Sequence, residues 1–123
     1  IRRQRQMCIR DRSLLLVTLV LCTNVYSSQP TTKEFMANIE SSKYDSYLYG
    51  LESGLDWANE LTYREYKMEM FCKPNDFEVS ATLLKDFITR EIVENASFYK
   101  KYENEPLIGL AFRNSYISNF SCQ

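Results

Sequence analysis

The chain has 123 residues, with no histidine, only three glycines, and sixteen tyrosine and phenylalanine residues together. Its first 28 residues hold five arginines and one aspartate, so of 15 basic and 16 acidic residues the remaining 95 carry ten and fifteen, a formal charge of −5. A domain of that size has one core and no room for a second, and its acidity repels nucleic acid and anionic lipid while favouring a basic protein by electrostatic steering, with simple solubility as the alternative role of the charge.

Residues 1–28 are read as a non-native string followed by a signal peptide. Ile1 to Arg12 lacks an initiating Met and resembles a translated sequencing adapter, so it is taken as non-native. Residues 13 to 22, from Ser13 to Cys22, form an apolar run preceded by arginines and followed by small residues around Ser27, which is the pattern of a signal peptide. The run is too short to span a bilayer. Export then makes Cys72 and Cys122, the two cysteines of residues 29–123, a disulfide pair, against the alternative of two buried thiols.

From residue 29 onward the periodicity predicts helices. Thr31 or Thr32 caps a short helix carrying Phe35, Met36 and Ile39, placed as a lid on the core. From Ser42 to about Tyr63, Tyr44, Tyr47, Leu48, Leu51, Leu55 and Ala58 recur at spacings of three and four, the signature of one buried helical face. Gly50 and Gly54, one turn apart on that helix, predict a tight helix crossing. Residues 72 to 76, Cys-Lys-Pro-Asn-Asp, read as a loop.

Ser80 is the expected N-cap of the next helix, with Leu83, Leu84, Phe87, Ile88 and Ile92 on one face and a stop near Asn95. Residues 95 to 105 predict a single helical turn flanked by loop. Pro106 is expected to start the last helix, with Leu107, Leu110, Ala111 and Ile117 facing inward. No strand pattern competes, so the expected fold is all-α: a small bundle of about four main helices with one disulfide, over residues 29–123.

The chemistry is sparse. Without histidine, Ser-His and Cys-His nucleophile pairs and most zinc sites are ruled out, and disulfide pairing uses the remaining thiols. Glu52 and Asp56 stand one helical turn apart, which reads as a solvated face rather than a catalytic pair. The expectation is a non-enzyme with no cofactor and no metal. Asn95-Ala96-Ser97 and Asn119-Phe120-Ser121 match the glycosylation acceptor pattern, which carries weight only in a eukaryotic secretory pathway. The tyrosine content favours protein contacts.

Four features in this order resemble the Rap/Tai immunity proteins: Tyr47-Leu48-Tyr49-Gly50, Phe71-Cys72-Lys73-Pro74, the Leu83 to Ile92 helix, and the closing Phe120-Ser121-Cys122. The resemblance covers roughly residues 33 to 122. It departs from the family pattern at Ser121, where proline is usual, and in having no cysteine ahead of the Tyr-x-x-Gly motif within that span. The resemblance implies a periplasmic, mostly helical protein, often a homodimer, that protects against a peptidoglycan amidase effector of the type VI secretion system by blocking its active-site cleft. On this chain it points to residues 95–105, with Phe98, Tyr99 and Tyr102 as anchors and Lys100 or Lys101 on the rim; packing beneath the loop is the competing role for those aromatics. The alternative function is a cell-envelope structural or adaptor module that binds a protein without inhibiting an enzyme.

Overall fold

In a computed structural model, residues 29–123 are described; the readings made for residues 1–28, the non-native string and the signal peptide, lie outside them. The described residues form five helices and no strand: α1 (Thr32–Ala37), α2 (Asp45–Tyr66), α3 (Ala81–Glu94), α4 (Ala96–Lys101) and α5 (Ile108–Asn119). None of these helices is long and apolar enough to cross a membrane.

Helix starts follow local chemistry. At α1 the Thr31 hydroxyl accepts from the Glu34 N–H at 3.1 Å while Thr31 N–H donates to the Glu34 carboxylate at 2.9 Å, a complete capping box. These bonds hold the Glu34 carboxyl below its ordinary range. The next two N–H groups, of Thr32 and Lys33, donate to the carbonyls of Glu105 and Glu103, so the lid is fastened to the far end of the chain through its own unsatisfied donors. Ser80 caps α3 by accepting from the Leu83 N–H at 3.2 Å. The long helix α2 ends at Lys67, which adopts a left-handed φ of 56° and donates its N–H to the Tyr63 carbonyl.

The core gathers Phe35, Leu48, Phe71, Leu84, Phe87, Ile88, Tyr99, Ile108, Ala111, Phe112 and Tyr116. α3 and α5 form the most extensive helix pair, and α2 lies against both. Tyr116 is the hub of an aromatic cluster, its ring centroid 4.4 Å from Phe112, 5.2 Å from Phe120, 5.4 Å from Phe71 and 6.1 Å from Phe87. Three of these four pairs meet edge to face, the arrangement favoured by ring quadrupoles.

The Cys72–Cys122 bond is formed, with Cα atoms 5.0 Å apart. The Cys72 N–H also donates to the Phe120 carbonyl, so the loop after α2 and the chain end are tied by backbone as well as sulfur.

Several expectations need correcting. Among the described residues Gly50 and Gly54 make no helix crossing: both are exposed, and a Cβ added at either would meet nothing within 4 Å. Ala58 is exposed, and Asn59 takes the buried position. The last helix begins at Ile108, after Pro106, and turns Ile108, Ala111, Phe112, Ser115 and Tyr116 inward. Ile117, expected inside, is 39% exposed. The inward set is displaced by about one residue because the Tyr116 ring, not an aliphatic side chain, fills the space between Phe71 and Phe87.

Candidate protein-contact site

Helix α4 presents the side chains singled out from the sequence, and its position follows from a break at Asn95. There the backbone leaves helical geometry (φ −116°, ψ 37°), and both the Asn95 N–H and its side-chain amide donate to the Glu91 carbonyl, closing α3 before α4 begins. Four residues on, Tyr99 turns inward and is 2% exposed. Its hydroxyl donates to Glu91 Oε1 at 3.1 Å, and Asn114 of α5 donates to the same oxygen at 3.2 Å. One carboxylate therefore joins three helices. Burial first, and then the Glu91 charge and hydrogen bond, push the Tyr99 phenol up to about 12.

Tyr99 is consequently a structural pin, with no face left for a partner in this conformation. Its neighbours differ. Phe98 is 43% and Tyr102 39% exposed, and their ring centroids stand 5.1 Å apart. Lys101 places its ammonium 5.2 Å from the Tyr102 ring centroid, and Lys100 pairs with Glu103 at 2.8 Å, which lowers the Glu103 carboxyl pKa. Residues 98–101 thus sit on one short helix with Tyr102 as its C-cap, but only Phe98, Lys100, Lys101 and Tyr102 reach the surface. The other flank of α4 borders an apolar cleft of about 300 Å³ between α1 and the end of α3, lined chiefly by Met36, Ile92, Val93 and Ala96 with Lys33 and Lys100 at its edge.

A second polar cluster, not anticipated as a unit, braces the disulfide loop. Lys73, next to Cys72, places its ammonium 2.5 Å from Glu52 Oε1 and also hydrogen-bonds Asp56. Tyr116 donates to the same Glu52 oxygen at 3.4 Å. Burial lowers the Lys73 pKa, but hydrogen bonds and charge from Asp56 and Glu52 outweigh it and the net shift is upward. Burial, reinforced by both carboxylates, strongly raises that of Tyr116. The acid pair on α2 is therefore no bare solvated face: it clamps the loop that carries Cys72. The nearby Glu69 carboxylate and the two cysteine sulfurs converge on a point, but sulfurs oxidised to a disulfide offer no thiolate for a metal.

No family model matches the chain, and neither the curated proteins nor the solved structures give a significant match.

Proposed function

We propose that the protein works by binding another protein, as a periplasmic immunity protein that occludes the active-site cleft of a peptidoglycan amidase delivered by type VI secretion. The observation that carries this reading is the solvent-facing Phe98–Tyr102 pair at the end of a short helix pinned from beneath by Tyr99. Inhibition by occlusion needs a rigid platform, so that little ordering entropy is lost on binding, and a few aromatic anchors ringed by polar groups. α4 supplies both, with Lys100 and Lys101 beside the rings. The motif order from Tyr47 to Cys122 that resembles the Rap/Tai proteins supports the identity of the target class, and the disulfide is compatible with export.

The test is to mix the purified protein with the amidase encoded beside it. Stoichiometric loss of peptidoglycan hydrolysis and a complex on gel filtration are expected. The double variant Phe98→Ala, Tyr102→Ala should weaken inhibition by about tenfold or more while keeping its helical spectrum. Unaltered hydrolysis in excess protein, with no complex, rejects the amidase reading.

A further inference from the structure

Outside α4, one helix face has no partner within the described chain. At 3.6 residues per turn, Gly50, Gly54, Trp57 and Leu61 fall along one stripe of α2, opposite the buried Leu48 and Asn59. Trp57 is 70% and Leu61 47% exposed, although burying an indole is among the largest apolar gains a side chain offers. The two glycines leave the N-terminal part of the stripe bare, and nothing lies within 4 Å of where their side chains would stand.

Charge is concentrated on the same element. Residues 45–78 hold eight acidic and three basic side chains, whereas the other described residues hold seven of each, so the whole negative charge of residues 29–123 resides on α2 and the loop after it. Beside the indole lies an open hollow of about 350 Å³, lined by Glu52, Ser53, Asp56, Trp57 and Glu60. Lys73 occupies Glu52 and one oxygen of Asp56, and Glu60 meets Arg64 only loosely, at 3.8 Å with both side chains about half exposed. An indole face next to carboxylates is the chemistry that receives a guanidinium or ammonium group.

We propose that this face of α2 docks a cationic partner protein, with an arginine or lysine of that partner seated over Trp57 between the Asp56 and Glu60 carboxylates. The glycine flank lets the partner's backbone approach closely, and Leu61 extends the apolar contact. A second copy of this chain is disfavoured as the occupant, because a two-fold contact would set acid against acid. The surface is separate from α4 and does not depend on the amidase reading.

Trp57 is the single tryptophan of the chain, so its emission reports this face alone. The probes are a synthetic amphipathic arginine–leucine helix lacking tryptophan, its glutamate–leucine counterpart, and spermidine. The arginine–leucine helix should shift the emission to the blue, shield it from acrylamide and bind more weakly as salt rises. Glu60→Gln, at an exposed position, should weaken that binding by about fivefold. Phe98→Ala should leave it unchanged. The proposal is overturned by no response to the arginine–leucine helix, by an equal response to the glutamate–leucine helix, or by spermidine alone reproducing the shift. An emission that moves to the blue with protein concentration before any peptide is added also overturns it, since a second copy then covers the face.

Discussion

Asn59 shows how one side chain substitutes for secondary structure. It lies on the core side of α2 and is 9% exposed, next to a loop whose backbone has no helix or strand to join. Its Nδ2 donates to the Phe71 carbonyl at 2.9 Å, and its Oδ1 accepts from the Met70 N–H at 2.7 Å and the Phe71 N–H at 3.4 Å. A primary amide carries donor and acceptor together, so it can mimic a peptide group and let Phe71 enter the core at 1% exposure without stranding the backbone on either side. Replacing Asn59 with Ala removes all three bonds and leaves buried backbone groups unpaired. The expected loss is about 2–3 kcal/mol, read from the urea midpoint at constant slope. A change below about 0.5 kcal/mol, the range typical of surface substitutions, would show that water satisfies those groups equally well. Nothing in the sequence marks Asn59 for this work, because its partners lie eleven and twelve residues onward and become neighbours only once the chain turns at Lys67. The Lys73 clamp was illegible for the same reason: Glu52 and Asp56 were visible as a helical pair, but the cation between them comes from the loop after the helix.

At the level of elements, what is local could be read and what is not could not. The caps at Thr31 and Ser80 and the inward set of α3 stand where their spacing placed them, since capping and amphipathic periodicity need only neighbouring residues. α5 is apolar on too many sides for periodicity to choose a face, and the choice falls to Tyr116 packing among phenylalanines from distant segments. Across α4 and its C-cap, three aromatics in five residues offered no way to tell pin from anchor; the Glu91 carboxylate of α3 selects Tyr99. The glycines of α2 give the sharpest case, because a one-turn glycine pair signals a crossing and yet the structure leaves both in the open. Neither has positive φ, and there is room for a methyl group, so neither conformation nor contact requires glycine among the described residues. Gly50→Ala and Gly54→Ala should each stabilise the fold by about 1 kcal/mol, seen as a higher midpoint in thermal unfolding. A lowered midpoint for the isolated protein would mean that this flank of α2 is packed against a second copy in solution, although Trp57 is 70% exposed in the single chain.

At the scale of the molecule, the 50-residue separation between Cys72 and Cys122 encloses α3, α4 and α5, leaving α1 and α2 of the described helices outside the covalent loop. In the chain-entropy account, closing a loop of that length removes unfolded-state freedom worth about 4 kcal/mol, comparable with the entire net stability of many domains this size. The bond does not hold its ends alone: the Cys72 N–H to Phe120 carbonyl bond, the Lys73 clamp and the Phe71 and Phe120 rings around Tyr116 converge on the same corner. Those contacts should keep the fold intact when the sulfurs are lost, so the bond's effect should appear chiefly as lowered stability rather than altered structure. The double variant Cys72→Ser, Cys122→Ser is therefore expected to retain the wild-type helical spectrum at low temperature while unfolding with a free energy smaller by about 2–4 kcal/mol. A loss below about 1 kcal/mol would show that the surrounding contacts already restrict the unfolded chain. Complete unfolding would show that the corner cannot form without the bond. The intermediate outcome ties stability to compartment: a chain that keeps its shape but loses so large a share of its margin under reducing conditions persists best where the bond can form and last.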